Sequence, residues 1–520
     1  MKLDNLDIIV FAAYVIGLIA LATWVSREKE GHEKNTEDYF LASKSLPWWA
    51  IGASLIAANI SAEQIIGMSG SGYALGLGIA SYEWMGALGL LVVGKYMLPV
   101  FLRQKIYTMP QYLEQRYNHS VRMVMATFWI ALYVFVNLTS VLWLGALAIY
   151  TITGFEMVYG MIFLAAFALS YSLYGGLKAV AFTDIIQVVL LIFGGLFLSY
   201  ITLDLISDGN GFVSGAKILT EQFPEKFDMI LSKDNPYYND LPGISVLIGG
   251  MWVMNFSYWG FNQYIIQRAL AAENINEAQK GMTFAAFLKL LMPIIVVLPG
   301  IAAVTLAPDL ERPDQAYPTM MNLMPVGLKG LIFAALVAAI VSSLASMINS
   351  ISTIFTMDIY SYYRSDKKQS HYVLVGRVVS FTALIVAMIF ARPLLESFDQ
   401  GFKFIQDFTG FFTPGIVVIF TLGIFWRRTT ANGAIAAAMG SFVLSCAFYY
   451  MLPNLPFMDR VGIVFLLCFA LAVIVSLMGK SIKHPQAVDL KEMDFSTSFS
   501  FNIQSLIVIF ILIALYATWW

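Results

Sequence analysis

The sequence predicts an all-α integral membrane protein with 14 transmembrane helices, and three observations predict it. Of 520 residues, 59% are hydrophobic and 12% charged, whereas soluble domains are about 25% charged. The apolar residues come in long blocks, each enough helix to cross about 30 Å of hydrocarbon. Lys and Arg fall unevenly between alternate connections: twenty of the 31 on one side of the expected membrane, nine on the other, with Lys95 and Lys289 inside blocks. The positive-inside bias makes the richer side cytoplasmic and puts the N-terminus outside.

The blocks run at roughly 7–26, 46–74, 79–102, 123–151, 156–174, 177–205, 243–266, 278–306, 326–359, 372–391, 401–426, 431–451, 461–479 and 500–519. The first has no basic residues leading directly into it, since Asp4 and Asp7 follow Lys2, and charge comes after it in SREKEGHEK. That is the wrong polarity for a cleaved signal, so it reads as a retained helix. The connection 206–242 is long and polar and is expected to form a small external segment. The sequence ends at Trp520, directly after the last block, which is expected to put the C-terminus outside as well, in a cell (inner) membrane. Net charge of -2 gives no case for nucleic acid. Cys446 and Cys468 lie in late apolar blocks and read as buried thiols. His32, His119, His371 and His484 lie in polar connections without metal-ligand spacing.

The second and seventh blocks are each interrupted near the middle. The second contains ANISAEQIIG, with Asn59, Ser61, Glu63 and Gln64; the seventh reads GGMWVMNFSYWGFNQYIIQ, with Asn255, Ser257, Tyr258, Gly260, Asn262 and Gln263. Polar backbone at membrane depth is tolerated only inside protein or beside a water-filled cavity. The two blocks lie five helices apart, so a second copy of a five-helix unit would run inverted, and paired broken helices point to a transport site at the midplane. The organisation expected is one transmembrane domain over 1–520: a leading helix at 7–26, a first repeat at 46–205, its inverted copy at 243–426 and three trailing helices at 431–519.

Glu63, Glu83, Asp184, Lys289 and Asp407 lie well inside blocks, where each costs about 2.5–3.5 kcal/mol on insertion scales. Structural pairing is the plain reading of each; Lys95, near a helix end, can snorkel. Glu83 and Lys289 sum to zero in a shared cavity, which suits a neutral substrate, whereas a carboxylate would favour an uncompensated Arg. The third core helix, 123–151, holds no Lys or Arg. Gln64, Asn255 and Gln406 add amides that both donate and accept, matching sugar hydroxyls. Tyr258 offers a ring face to a sugar, or simply packs between helices. In AALVAAIVSSLASMINS, Ser342 and Ser343 read either as close helix packing or, with the Ala339 carbonyl, as oxygens for a hard cation.

TEDYFLASKSLPWW, AANISAEQIIGMSGSGY, YEWM, YGGLKAVAFTDIIQ, YWGFNQYIIQR, AQKGMTFAAFLKL, AAIVSSLASMINS, FIQDFTG and GIFWRRTTANGAIAAAMG together resemble the sodium/solute symporter family, over nearly the whole chain. The resemblance implies a LeuT-type 5+5 inverted repeat, with one helix before and three after. It implies sodium-driven uptake of a galactose- or glucose-like hexose bound by Gln64, Glu83, Asn255, Lys289 and Gln406. It implies an inner gate at Tyr258 supported by Asn59, and an outer gate at Met68, Tyr82 and Phe402. It implies sodium held by Ala57, Ile60, Ala339, Ser342 and Ser343, with Asp184 on the ion's route inward; a second sodium site near Asp184 and Ser346 stays open. Gly86 follows YEWM where a sugar-transporting member has Ser, and the missing hydroxyl leaves the hexose open.

Other readings remain at this stage. A symporter of sialic acid, an amino acid or a vitamin is one; a passive solute channel is a second; proton coupling through Glu63 or Asp184 is a third. Glu63, Glu83 and Asp407 offer carboxylates to a catalytic reading, but no nucleophile–base set accompanies them, and no G-x-x-x-x-G-K-[ST] phosphate loop is present. The partners expected are therefore a neutral hexose, sodium and membrane lipid, with the oligomeric state open.

Overall fold

The computed structural model describes residues 3–25, 46–106, 108–174, 177–479 and 487–520; His32 and His484 lie outside them. Helix α1 is Asn5–Val25 and α2 is Trp48–Asn59. The chain turns through 65° into α3, Glu63–Leu75, followed by α4, Leu77–Arg103. Next come α5, Met109–Arg116, and α6, His119–Thr153. Then follow α7, Met157–Tyr174, α8, Leu177–Ile206, and α9, Phe212–Gln222. The broken segment is α10, Gly250–Phe256 with its π-helical continuation Ser257–Phe261, and α11, Gln263–Leu270. After it come α12, Ile275–Leu306, α13, Leu328–Tyr363, and α14, Gln369–Leu395. A second bent pair, at 47°, is α15, Gly401–Thr409, and α16, Thr413–Phe425. The last three are α17, Ala431–Met451, α18, Phe457–Met478, and α19, Phe499–Thr518.

The span count differs from the expectation. Among the described residues nine helices are long and apolar enough to cross a membrane, or up to eleven if each bent pair is one span. This is an all-α multi-pass membrane fold, and the expectation of 14 spans in a LeuT-type repeat is corrected to it. Three apolar blocks make the difference. Those at 7–26 and 156–174 count only as shorter apolar helices, Asn5–Leu21 and Met157–Ser170. The block at 243–266 divides into Ser245–Ile248, Gly250–Phe256, Ser257–Phe261 and Gln263–Leu270. At 1.5 Å per residue, none of those pieces reaches across about 30 Å of hydrocarbon.

The breaks have local causes. Ile60 leaves the helical region at φ -72°, ψ 94°, and Ser61 Oγ accepts from the Glu63 amide at 3.2 Å. That side-chain bond competes with the helical ladder. Asn262 is extended at φ -80°, ψ 123° and separates α10 from α11. Where helices start cleanly they carry the expected caps: Thr108, Asn118 and Asn274 side chains accept from the amides of Gln111, Val121 and Glu277. The bundle is tight enough that a Cβ on Gly300 of α12 would lie 2.1 Å from the Ser69 carbonyl of α3.

Buried charges tie helix ends together. Asp7 of α1 accepts from the amides of Gly327 and Gly330 at 2.7 and 2.9 Å, where α13 begins. A carboxylate there complements the exposed amides of a helix N-terminus. Arg116 of α5, 1% exposed, donates to the carbonyls of Gly423, Trp426 and Thr429 and so closes the end of α16. The 206–242 connection holds α9, and its Lys226 Nζ donates to the carbonyls of Tyr73 and Ala74 at 3.0 and 2.6 Å, capping α3.

Candidate functional site

Both interrupted helices open onto one central cavity. Asn59 comes from the end of α2; Glu63 and Gln64 begin the π-helical turn Glu63–Met68. Tyr82 and Glu83 come from α4, Lys289 from α12, and Phe402 and Gln406 from α15. Asn255 and Tyr258 come from α10. The sequence-predicted substrate residues Gln64, Glu83, Asn255, Tyr258, Lys289 and Gln406 therefore share one wall system, together with the predicted gate residues Asn59, Tyr82 and Phe402.

A polar chain runs through the cavity wall. Lys289 Nζ donates to Glu83 Oε2 at 2.5 Å and also to Asn59 Oδ1. Asn59 Nδ2 donates to Tyr258 Oη at 3.1 Å, which accepts from Tyr264 Oη at 3.4 Å. The ammonium also lies 4.8 Å from the centroid of the Trp259 ring, within cation–π range. Glu83 and Lys289 are each 1% exposed, so neither charge is left uncompensated in the interior. Gln406 Nε2 donates to Glu63 Oε1 at 3.2 Å, linking α15 to α3. Asn255 Nδ2 is turned back to the carbonyl of Met251. Gln64 Oε1 is buried with no hydrogen-bond partner among the described residues. A buried acceptor without a partner carries a desolvation cost of about 1–3 kcal/mol, and a ligand hydroxyl would remove it.

Met68 is fully buried and does not line the cavity; Tyr82 and Phe402 meet edge to face at 5.0 Å between centroids. The predicted ion residues lie apart from the cavity. Helix α2 stops at Asn59, so the carbonyls from Ala57 on lie past the end of its ladder. Ile60 is 1% exposed and Ala339 3%. Ser342 Oγ donates to Asp184 Oδ1 at 2.8 Å. Arg268 Nη2 donates to Asp184 Oδ2 at 3.4 Å, and its Nε to Ser54 Oγ at 3.0 Å. Helices α2, α8, α11 and α13 thus meet at Asp184. Ser343 Oγ, one residue on, is buried without a partner among the described residues. Ser346 is half-buried. Hydroxyls and carbonyls of this kind suit a hard monovalent cation.

Sequence reasoning did not single out Asn137, Trp129 or Thr409, which also line the cavity. Asn137 lies in the π-helical turn Tyr133–Leu138 of α6. An amide inside an otherwise apolar block was the available signal, passed over because that block was searched for cations. Asp407, a predicted intramembrane acid, faces away from the central cavity and pairs with Arg460 at 3.4 Å.

A sequence profile described as the Sodium:solute symporter family matches residues 39–440. A sodium/glucose cotransporter of Vibrio parahaemolyticus is 50% identical over 539 residues, covering 100% of this chain and 99% of the relative. A human sodium/myo-inositol cotransporter is 33% identical over 506 residues, covering 87% of this chain and 68% of the relative. A solved structure of a Na+-coupled sialic acid symporter, in a substrate-bound outward-open state, superposes with a TM-score of 0.77 at 23% identity. It covers 92% of this chain and 99% of its own, a likeness of fold.

Proposed function

The chain belongs to the sodium:solute symporter family, and we propose that it couples inward sodium flow to the uptake of a neutral hexose. The observation that carries this reading is the central cavity, whose only charges among the described lining residues are Glu63, Glu83 and Lys289, with Lys289 locked to Glu83. Around that pair stand the amides of Asn59, Gln64, Asn255 and Gln406, which donate and accept as a polyol requires. The V. parahaemolyticus relative is named for glucose, in keeping with this chemistry. The whole chain serves as one transport domain in the cell membrane, with the N-terminus and the 206–242 connection outside, as the Lys and Arg distribution favours.

In this reading Gln64, Glu83, Asn255, Lys289 and Gln406 hold the hydroxyls, and Tyr258 covers a ring face. Met68, Tyr82 and Phe402 close the outer side; Tyr258 and Asn59 close the inner. Sodium is the co-substrate. It draws on the hydroxyls of Ser342 and Ser343 and the carbonyls of Ala57, Ile60 and Ala339, and leaves past Asp184. It joins the broken α2–α3 pair to α13, and so favours the arrangement that also binds sugar. The two solutes are coupled only because they favour the same states.

The driving force suffices. One charge crossing about 100 mV supplies about 2.3 kcal/mol, and a roughly tenfold sodium gradient adds about 1.4 kcal/mol. Together they hold a neutral sugar about 500-fold concentrated with one ion per cycle. The test is uptake of a panel of labelled sugars by proteoliposomes. Accumulation of a neutral hexose under an inward sodium gradient, absent with potassium, is expected. Equal uptake in both ions would overturn the coupling, and no hexose uptake at all would overturn the substrate.

A further inference from the structure

Three helices leave a groove on the outer surface of the bundle, away from the central cavity. Trp48, the first residue of α2, lines it with Lys280, Phe284 and Phe287 of α12 and Ser500 and Gln504 of α19. It lies at the end of the bundle that the Lys and Arg distribution makes cytoplasmic. Trp48 meets Phe284 edge to face at 5.4 Å between centroids. Trp48 and Trp49 remain 38% and 43% exposed, and Trp side chains gather at the membrane–water boundary. Along α12, Phe284, Phe287, Leu291 and Ile294 follow at spacings of three and four and so share one face; Leu291 and Ile294 are exposed. The face that walls the groove thus continues from the boundary to hydrocarbon depth.

The polar end of the groove offers donors. Lys280 carries the one charge among its described lining residues. Lys280 Nζ donates to Glu277 Oε1 at 3.1 Å, and an ammonium has three donors, so two remain. Glu277 has no free oxygen to offer in return, because its Oε2 accepts from the Trp48 amide at 2.9 Å. Gln504 Oε1 accepts from Thr283 Oγ1 at 2.8 Å, which leaves the NH2 group to donate. Ser500 adds a hydroxyl in the first turn of α19, where the amides of a helix start favour an anion. A phosphate takes donors of this kind. A headgroup ammonium would find the carboxylate and the amide oxygen already engaged.

We infer that this groove holds one anionic phospholipid of the inner leaflet, its phosphate against Lys280, Gln504 and Ser500 and an acyl chain against Phe284 and Phe287. The Lys280 side chain is 40% exposed, and its flexible stem lets the ammonium reach a headgroup. The lipid then ties the start of α2 to α12 and α19, where the protein itself makes the Trp48–Glu277 and Thr283–Gln504 bonds. The site is independent of which solute the central cavity takes.

Native mass spectrometry of the full chain, purified in detergent and given graded phosphatidylglycerol or phosphatidylethanolamine, tests this. The first phosphatidylglycerol is expected to bind more tightly than any phosphatidylethanolamine. Lys280→Ala removes the cation, and Ser500→Asp sets a carboxylate where the phosphate lies. Each is expected to weaken that first step about tenfold, the scale of one lost charge-assisted hydrogen bond. Ser500 is exposed, so Ser500→Asp decides the matter even if Lys280→Ala disturbs Glu277. Lys217→Ala, on the 206–242 connection and 75% exposed, is expected to change nothing. Equal binding of the two lipids by the wild type, or a first phosphatidylglycerol held at full strength by Ser500→Asp, would leave an unspecific lipid shell only and overturn the site.

Discussion

Asn59 Nδ2 donates to Tyr258 Oη at 3.1 Å, and this bond joins the two interrupted helices beside the central cavity. A ring on one broken helix is thus latched to the last residue of another. In the transport cycle proposed above, release to the inside breaks this bond.

Tyr258→Phe keeps the ring and removes the latch. A single hydrogen bond contributes about 1 kcal/mol, so the closed state should lose about fivefold in population against the open one. Preloaded proteoliposomes of this variant should leak labelled sugar faster than wild type in the absence of a sodium gradient. An unchanged efflux rate would remove Tyr258 from the inner gate.

Lys289 and Glu83 differ from Gln64 in what their loss should do. Lys289→Ala strands a buried carboxylate, which costs about 3–5 kcal/mol, and should lower the unfolding temperature as well as stop uptake. Gln64→Ala removes an acceptor that has no partner among the described residues, and should stop uptake with the melt unchanged. The pair Lys289→Met with Glu83→Gln should recover stability but not transport. Normal uptake by Gln64→Ala would remove the central sugar site.

Ser343→Ala removes a buried hydroxyl that has no hydrogen-bond partner among the described residues. Stability should hold or rise slightly, while the sodium concentration for half-maximal uptake should rise about tenfold, equivalent to about 1.4 kcal/mol. Sodium dependence identical to wild type would place the ion elsewhere.

Asp314 predicts a pH dependence. It lies in the connection between α12 and α13, fully buried, and Oδ2 accepts from the Gly401 amide at 2.8 Å where α15 begins. Burial pushes its carboxyl up to about 7, only partly offset by that bond and by Arg312, with Asp399 adding to the rise. An unfolded Asp titrates near 3.9, so the folded protein binds the extra proton between roughly pH 4 and 7. The stabilisation is complete below pH 4 and is lost as pH rises through 7. Unfolding temperatures measured from pH 5 to 8 should fall less steeply in Asp314→Asn, which keeps an acceptor for Gly401, than in wild type. Parallel profiles would show that Asp314 is ionised throughout.

Much of the site was legible in the sequence because hydrocarbon makes polar residues expensive. Glu83, Lys289 and the two interrupted stretches stood out for that reason alone, and the structure brings them to one cavity. The partner of Lys289 through Asn59, and the turning of Asp407 toward Arg460, were not legible, because they depend on how far each helix is rotated. The number of spans was misjudged for a related cause. Hydropathy counts apolar residues along the chain, but a block such as 243–266 can be cut by Gly249 and Asn262 into pieces too short to cross alone. Asn137 was missed because a single amide in an apolar block carries little signal until the π-helical turn around it is seen.

Coupled transport requires that sodium and sugar favour one arrangement of the broken helices. Titrating labelled hexose against the protein in nanodiscs at a series of sodium concentrations measures this directly. Sodium should tighten sugar binding, and sugar should tighten sodium binding by the same factor. A sugar affinity that is the same in sodium and in potassium would contradict it.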